Sequence, residues 1–382
     1  MEAAIFDLIV IGAGPAGTSA AITAARSGVR VLLLEAGRFP RHKVCGEFVS
    51  PESLDLLSCL LPAQHRALLS DCPRIPAARL FLDDCILRTS IDPPAASIAR
   101  FDLDAALLHS AESAGVEVRL QTSTQEVSGN APFRVVTTAG DFAASAIVNA
   151  SGRWSKLNLT GRTGHSKTRE AAHAEPVRAH KWLGVKVHFS EPSPPNSVDL
   201  YFFDGGYCGV QPVRLADDPA CPRINVCAML QADRASSLAQ VFALHPALRE
   251  RSLGWEAVSQ LVSTSPLLFR EPKPERNGIL FVGDAACFVD PFVGDGISLA
   301  LRSGALAAEC LAPFFQQSIS LQTAIENYAA AYIRNFGGIF NTSSRIRHML
   351  QLPRPIRRAA LHILERTPAA TRYLVRKTRA PI

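Results

Sequence analysis

The first 35 residues contain the feature that most constrains how this chain folds. A β-branched run, Ile5 to Ile11, leads into the glycine-rich turn 12–17 and an alanine-rich helical stretch that ends near Arg26. A second apolar run, Val29 to Leu34, follows and ends at Glu35. Strand, glycine turn, helix and strand in this order predict a βαβ unit in a parallel sheet.

The spacing of this turn, G-x-G-x-x-G, is typical of dinucleotide binding when an acidic residue closes the second strand. Gly12 permits the tight turn, Gly14 lets the backbone approach a pyrophosphate at the helix N-terminus, and Gly17 lets helix and strand pack closely. Glu35 is placed to accept hydrogen bonds from a ribose diol, and its charge disfavours a 2′-phosphate. The site therefore predicts FAD or NAD rather than NADP, with Pro15 and Ala16 completing the turn.

A second glycine-containing motif, residues 283–297, distinguishes FAD from NAD. Its sequence is GDAACFVDPFVGDGI, and an enzyme that binds only NAD does not need it. Asp284 follows a predicted strand, where its carboxylate is placed to bind ribityl hydroxyls. Gly294 to Ile297 open a helix whose N–H groups favour the anionic reduced flavin. FAD is therefore the expected cofactor.

Four stretches of the chain resemble the FAD-dependent oxidoreductases of the p-hydroxybenzoate hydroxylase superfamily, and most closely their geranylgeranyl reductase subgroup. They are DLIVIGAGPAGTSAA, GRFPRHKVCGEFVSP, ARFDLDAALLHSAESAGVEV and GDAACFVDPFVGDGISLALRSGALAAE. The resemblance covers about residues 5 to 315. It implies that Arg100 reaches the FAD from a strand–helix junction and that the loop around Cys45 lies beside the isoalloxazine. The further cofactor-site residues that it implies are Arg41, Lys43, Cys45, Gly46, Gly283, Pro291, Gly294, Gly296 and Ile297.

Two departures from the family pattern bear on mechanism. Family members commonly carry an Asp-Gly pair after the strand that ends near Asn149, but this chain reads NASGRWS at residues 149–155 and lacks the Asp, which puts the mode of NAD(P)H use in question. The reductases also tend to have several glycines after Cys-Gly, whereas Glu47 follows Gly46 here. A carboxylate in that loop is a candidate for proton transfer. The resemblance makes Cys45, Glu47 and Tyr207 the candidate catalytic residues, although Cys45 as a small packing residue and Tyr207 as an ordinary strand aromatic are the alternatives.

The order of predicted elements gives an α/β fold with a discontinuous Rossmann-like FAD-binding domain, an interleaved antiparallel β-rich substrate domain and a helical C-terminus. The middle strands are predicted at Lys181–Phe189, Val198–Phe203, Tyr207–Val213 and Ile224–Gln231. The FAD-binding domain is assigned residues 1–75, 100–175 and 273–315, the substrate domain residues 76–99 and 176–272, and the basic helical region residues 316–382.

Charge and cysteine content exclude several classes of protein. The net charge of +6 is concentrated at the C-terminus, where residues 341–382 contain ten Lys or Arg and one acid, so a nucleic-acid-binding body is not expected. Nine cysteines without a CxxC pair and ten scattered histidines predict neither a disulfide framework nor a metal site. We expect a cytoplasmic protein. The basic tail either contacts the inner face of a membrane peripherally or forms a helix docked on the body.

These observations predict an FAD-dependent oxidoreductase that takes electrons from NAD(P)H and acts on a small lipophilic substrate. The subgroup resemblance favours reduction of an activated carbon–carbon double bond in an isoprenoid or polyketide-like molecule. Hydroxylation by a flavin monooxygenase is the alternative, and a non-catalytic flavin-binding, membrane-associated protein is a second one. Halogenation is disfavoured, because the halogenase version of the strand around Tyr207 needs two tryptophans that this chain lacks.

Overall fold

A computed structural model describes residues 5–154, 157–160, 181–216, 218, 221–264, 267, 269–350 and 352–367. Its strands are β1 Ile5–Ile11, β2 Val31–Leu34, β3 Phe48–Val49, β4 Arg74–Leu82, β5 Cys85–Ser97, β6 Glu117–Arg119, β7 Thr124–Gly129, β8 Phe133–Thr137, β9 Gly140–Asn149, β10 Asn158–Thr160, β11 Trp182–Ser190, β12 Val198–Phe203, β13 Gly206–Val213, β14 Arg223–Gln231, β15 Glu256–Ala257, β16 Val262–Thr264, β17 Glu275–Arg276 and β18 Ile279–Phe281. Its helices are α1 Pro15–Arg26, α2 Leu54–Leu60, α3 Ala67–Ser70, α4 Arg100–Ser113, α5 Leu238–Ala243, α6 Pro246–Arg251, α7 Gly296–Phe315, α8 Leu321–Leu350 and α9 Arg354–Arg366.

The first sheet is the predicted dinucleotide-binding sheet. Its strands run β10-β7-β8-β9-β1-β2-β6, and β18 pairs with the carboxyl end of β9. Strands β1, β2, β6, β9 and β18 are parallel, whereas β7, β8 and β9 form an antiparallel meander. Strand β2 is buried along its whole length, as expected for a parallel strand covered on both faces.

Helices α1 and α7 pack against each other across this domain. Ser19 Oγ in α1 donates to the carbonyl of Leu301 in α7 at 2.7 Å. A Cβ at Gly304 would lie 2.1 Å from the carbonyl oxygen of Ala16, so the two backbones approach closely. Helix α7 is long and apolar enough to span a membrane, but more than half of that window is buried within the protein, as a core helix is.

The second sheet contains strands from two separated parts of the chain, which confirms the predicted interleaving. Its order is β15-β11-β14-β13-β12-β4-β5-β3, with β16 beside β11. The four predicted middle strands are β11 to β14, and they differ from the predicted bounds by one residue at most. Strands β4 and β5, which precede α4 in the chain, extend the same sheet. The predicted boundary at residues 175 and 176 lies outside the described residues, and the domain limits stay a prediction.

The described part of the basic C-terminus is docked on the second sheet. Helix α8 ends at Leu350, and α9 begins after Pro353. Arg357 of α9 pairs with Asp83 in the turn between β4 and β5, while the neighbouring Arg358 pairs with Asp84. These contacts favour the docked-helix alternative for residues 345–367. The remaining basic residues lie outside the described part of the chain, and peripheral membrane contact stays a prediction.

Candidate functional site

The two glycine-containing motifs, more than 250 residues apart in sequence, meet at the carboxyl ends of the first sheet. Gly12 has φ +104°, and a Cβ there would lie 2.5 Å from the carbonyl oxygen of Ala150. A Cβ at Gly283 would lie 2.9 Å from that of Ala16. Helix α1 starts with Pro15 and has no side-chain cap, and a Cβ at Gly14 would meet nothing within 4 Å. Uncapped N–H groups beside open space fit a pyrophosphate at this helix end.

Glu35 is buried at the end of β2 and accepts four hydrogen bonds. The donors are the backbone N–H groups of Ala13 (2.9 Å) and Gly37 (2.7 Å) and both terminal nitrogens of Arg41 (2.6 and 3.0 Å). Burial alone would raise the pKa of Glu35, but Arg41 and the two amides outweigh it and lower the pKa. Glu35 is therefore a fixed anion at the position expected for the adenosine ribose.

One predicted loop residue, Arg41, lies at the ribose end of the site. Arg41 lies at Glu35, at the ribose end, and not with Cys45, because its guanidinium forms a two-bond ion pair with that carboxylate. Lys43 lies further along the loop, where burial and the charge of Arg41 lower its pKa. The loop therefore runs from the ribose end toward the cavity, which begins at Gly46.

The second motif forms a sequence of tight turns before α7. Gly294 has φ +76°, and Asp295 precedes Gly296 at the start of the helix. Asp295 is buried and accepts a hydrogen bond from Ser50 Oγ at 2.7 Å, so the loop after β3 fixes this helix end. The helix has no side-chain cap in the structure. Its first-turn N–H groups fit the predicted contact with the flavin pyrimidine edge.

Asp284, the predicted ribityl ligand, lies beside Arg153. Its Oδ2 is 3.7 Å from Arg153 Nε, and the Arg153 guanidinium stacks over the ring of Phe288 at 4.3 Å. Burial raises the pKa of Asp284 although Arg153 opposes that shift. The contact with Arg153 is too long for a hydrogen bond, so the Asp284 carboxylate oxygens can still accept hydrogen bonds from ribityl hydroxyls. Asn149 ends β9 just before the stretch that departs from the family pattern. It is buried, and its side-chain oxygen accepts a hydrogen bond from Ser151 N at 3.0 Å.

Arg100 begins α4 and connects that helix to the loop of residues 38–47, which we call the flavin loop. Its guanidinium binds Asp104 through two hydrogen bonds of 2.6 and 2.7 Å. Burial opposes its charge, but Asp104, followed by the thiol of Cys45, outweighs burial and raises the pKa of Arg100. The Cys45 sulfur also accepts the backbone N–H of Glu47 at 3.3 Å. Cys45 and Arg100 are therefore in contact.

Glu47 lies in a fully buried cluster that the sequence did not predict. Its backbone is left-handed, with φ +61°, an uncommon conformation for a residue other than glycine. Its carboxylate accepts from Lys186 Nζ, His188 Nε2 (2.7 Å) and the backbone N–H of Arg100 (2.8 Å). Burial would raise the pKa of Glu47, but Lys186 and His188 lower it to about 2.

This environment gives no support to Glu47 as the proton donor. A carboxylate with a pKa of about 2 and three hydrogen-bond donors holds no proton near neutral pH. The geometry gives Glu47 a different role. Its backbone N–H donates to the Cys45 sulfur, and its carboxylate accepts the backbone N–H of Arg100, so Glu47 holds these groups in place around Cys45. Glu47 is a positioning residue in this structure.

A cavity of about 210 Å³ lies between the second sheet and the flavin loop. Strand residues, the loop before β3, the turn before α7 and the C-terminal helices form its wall. The lining includes Gly46, Leu80, Leu87, Leu200, Tyr207, Gln211, Cys227, Pro291, Gly294, Ile346, Met349, Leu350 and Leu361. Its wall is mainly apolar, with a few polar side chains, as is typical of sites for small molecules.

The strand register explains how polarity is distributed along this wall. Directly opposed residues on neighbouring strands project to the same face of a sheet. One such row runs from β11 to β5 and consists of Lys186, Cys227, Gly209, Leu200, Leu80 and Leu87. The row begins at the buried ion cluster and ends in aliphatic side chains. The cavity therefore has a polar end near Cys45 and an apolar end at β4 and β5.

Tyr207 is the predicted catalytic residue that the cavity itself contains. Its ring packs near Phe202 and Phe292, with centroids 5.6 and 6.2 Å away. Burial raises the pKa of Tyr207 well above its ordinary value, so the phenol stays neutral. A neutral phenol at a cavity wall donates a hydrogen bond, and this placement favours a substrate-side role over that of an ordinary strand aromatic.

The chain matches a family model described as FAD dependent oxidoreductase over residues 7–40. It is 26% identical to menaquinone reductase of Mycolicibacterium smegmatis, covering 91% of this chain and 85% of that protein. It is also 26% identical to digeranylgeranylglycerophospholipid reductase of Methanocella arvoryzae, covering 90% and 87%. A solved structure, the myxobacterial chondrochloren halogenase, shares the fold with a TM-score of 0.71 and 24% identity, covering 88% of this chain and 81% of that chain.

The motifs, the fold and these matches define the class of this protein as an FAD-dependent oxidoreductase. Within that class, its curated relatives include menaquinone reductases and geranylgeranyl-type reductases, as the resemblance in the sequence implied.

Proposed function

We propose that this enzyme uses FAD and NAD(P)H to reduce an activated carbon–carbon double bond in a lipophilic substrate, either isoprenoid or polyketide-like. The observation that carries the proposal is the cavity, whose wall joins Gly46 of the flavin loop and Pro291 and Gly294 of the turn before α7 to the aliphatic side chains of the second sheet. Relatives named for menaquinone and for a geranylgeranyl lipid support an apolar substrate.

When bound, FAD supplies the hydride chemistry, and the protein supplies position, water exclusion and charge. The glycine turn at residues 12–17, Glu35 and Asp284 would hold the cofactor. The leucines of β4, β5 and β12 exclude water from the apolar end of the cavity. Tyr207 then donates a hydrogen bond to a substrate oxygen, which orients an activated double bond toward the flavin loop.

Reduction of a double bond also requires a proton, and we assign it to Sγ of Cys45. Cys45 immediately precedes Gly46, which lines the cavity. Asn225 Nδ2 donates to the Cys45 carbonyl at 3.0 Å, and Glu47 N donates to Sγ, so both the backbone and the sulfur are held in place. Cys227 lines the same wall, but burial raises its pKa to about 12, so it stays a neutral thiol.

The test is a turnover assay with defined acceptors. The FAD-loaded protein is mixed with NADH or NADPH and with a naphthoquinone or a short polyprenyl alcohol, and the product is examined by mass spectrometry. The proposal expects acceptor-dependent NAD(P)H oxidation and, for the alkene, a product heavier by two hydrogens. Oxygen-dependent NAD(P)H oxidation with a hydroxylated acceptor as the product would support the monooxygenase alternative instead, and no turnover with any acceptor would support a non-catalytic flavoprotein.

A further inference from the structure

The apolar end of the cavity is closed by the C-terminal helices. Ile346, Met349 and Leu350 belong to the last turns of α8, and Leu361 belongs to α9. Leu361 is only 5% exposed. The sheet and the flavin loop form the other walls, so these two helices are the roof over the aliphatic part of the site.

The cavity is small for a polyisoprenoid substrate. Its volume is about 210 Å³. A cavity of about 150 Å³ accepts benzene, whereas pockets for drug-sized ligands occupy roughly 300–1,000 Å³. The cavity therefore accommodates a ring-sized group, and several isoprene units fit at its apolar end only if the helices there move.

Helix α9 is held to the second sheet by the buried side chain of Leu361 and by charged contacts. Arg357 Nη2 is 2.6 Å from Asp83 Oδ1, and Arg357 Nε binds the other carboxylate oxygen. Arg357 Nη1 also donates to the carbonyl of Leu350 at 2.7 Å, which ties α9 to the end of α8. The side chains of Arg357 and Asp83 are 9% and 6% exposed.

Each of the other ion pairs of α9 has at least one exposed partner. Arg358 and Asp84 are 51% and 85% exposed, and Arg354 and Asp204 are 71% and 59% exposed. Arg354 Nε also lies 3.8 Å from the same Asp83, but its side chain is 71% exposed. Exposed pairs contribute little. Among the contacts described, the Arg357–Asp83 pair is therefore the strongest polar attachment of α9 to the second sheet.

We propose that α9 is a lid over the apolar end of the cavity, held shut by the Arg357–Asp83 ion pair, and that this pair sets the length of apolar chain the enzyme accepts. A substrate with a short side chain binds under the closed lid. A longer chain binds only after the pair breaks and Leu361 leaves the cavity. The inference rests on the proposed function for the lipophilic class of substrate, but the lid itself is tested without turnover.

The experiment compares two probes, a naphthoquinone without a side chain and the same ring with four isoprene units. Both are titrated into FAD-loaded enzyme, and binding is followed by quenching of protein fluorescence. Asp83→Asn removes the charge that holds the lid. Asp84→Asn is the matched control, since it changes the adjacent residue of the same turn and removes only an exposed pair.

Breaking the pair removes the cost of opening, and apparent affinity rises in proportion to the open fraction. We expect Asp83→Asn to bind the long-chain probe about tenfold more tightly, with less than a twofold change for the ring alone. Asp84→Asn should change neither. Arg357→Gln, which breaks the same pair from α9, should reproduce the tighter binding of the long-chain probe.

Hydrogen exchange of the amides in residues 354–366 gives a ligand-independent measure of lid opening. Exchange should be several-fold faster in Asp83→Asn than in Asp84→Asn. Equal exchange in the two variants, or equal changes for both probes, would overturn the lid. Faster exchange without binding of either probe would leave the lid standing and count against the proposed substrate class.

Discussion

Replacing Glu47 with Gln should destabilise the protein strongly, because Glu47 is the anion at the centre of a buried cluster. Glu47 is not exposed, and the Lys186 side chain is 1% exposed. The pKa of Glu47 falls from an ordinary 4.5 to about 2, which corresponds to about 3 kcal/mol at 1.36 kcal/mol per pKa unit. Removing one member of a buried ion pair costs about 3–5 kcal/mol in other proteins, because the remaining charge is left buried.

Urea unfolding of the FAD-loaded protein at fixed cofactor concentration measures this loss. We expect Glu47→Gln to lower the free energy of unfolding by about 3 kcal/mol at pH 7. The control, Glu112→Gln on the exposed face of α4, should change it by less than about 0.5 kcal/mol. The double variant Glu47→Gln with Lys186→Met should recover part of the loss, since it no longer leaves a cation unpaired.

The pH dependence of this difference has a defined sign. A carboxylate whose pKa is lower in the folded state stabilises fully above its unfolded pKa and loses that contribution as the pH falls through the folded value. The difference between the wild type and Glu47→Gln should therefore be constant above about pH 5 and shrink between pH 4.5 and pH 2. Equal stability of the two proteins at pH 7 would refute the assignment of Glu47 as a buried anion.

Three further outcomes follow from the site. Asp284→Ala should weaken FAD binding by about 1–3 kcal/mol while the far-ultraviolet circular dichroism spectrum is kept, and unchanged affinity by flavin fluorescence titration would contradict its ribityl role. Burial raises the pKa of Asp290 to about 7, above its unfolded value, so ionisation of Asp290 destabilises the folded protein as the pH rises from 4 to 7. Urea unfolding should therefore find Asp290→Asn more stable than the wild type at pH 8 but not at pH 4. Cys45→Ala should slow double-bond reduction by about 10²–10⁴-fold in stopped-flow absorbance with little effect on flavin reduction, while Cys59→Ala, which changes an exposed thiol, should alter neither rate.

The cofactor half of the fold is predictable because its constraints are local. Gly12 and Gly17 occupy positions where a Cβ would meet backbone atoms, so the sequence pattern reports the packing directly. Strands β11 to β14 are equally predictable from the sequence, since their β-branched and aromatic runs are separated by turn residues. The length of α7 is less predictable, since the helix continues to Phe315 although Pro313 lies inside its last turns.

The buried ion cluster is not predictable in the same way. In β11, Val185 and Val187 alternate with Lys186 and His188, which from sequence alone resembles a strand with one apolar and one solvated face. The polar face is buried only because the loop containing Glu47 folds over it. That contact joins residues about 140 positions apart. A charged residue within an otherwise apolar middle strand was the available signal.

The position of Arg41 was also inaccessible to motif matching. The flavin loop runs from the ribose end of the cofactor site to the cavity, so residues that are close in its sequence lie at different ends of that site. Arg41 binds Glu35, and Gly46 lines the cavity. Arg41 lies six residues after Glu35 and carries the opposite charge, which explains the ion pair physically. Many oppositely charged residues at that spacing form no ion pair, so the sequence alone does not predict this one.

We propose above all that the reduced enzyme transfers a hydride and a proton to a carbon–carbon double bond of an apolar substrate in the cavity. The direct measurement is anaerobic reoxidation of the NAD(P)H-reduced enzyme, followed by flavin absorbance after mixing with a polyprenyl or prenylated naphthoquinone acceptor, and repeated with ¹⁸O₂. We expect reoxidation without oxygen, a product with two additional hydrogens on carbon and no ¹⁸O in either experiment. A product that forms only with oxygen and contains one ¹⁸O atom would contradict this mechanism.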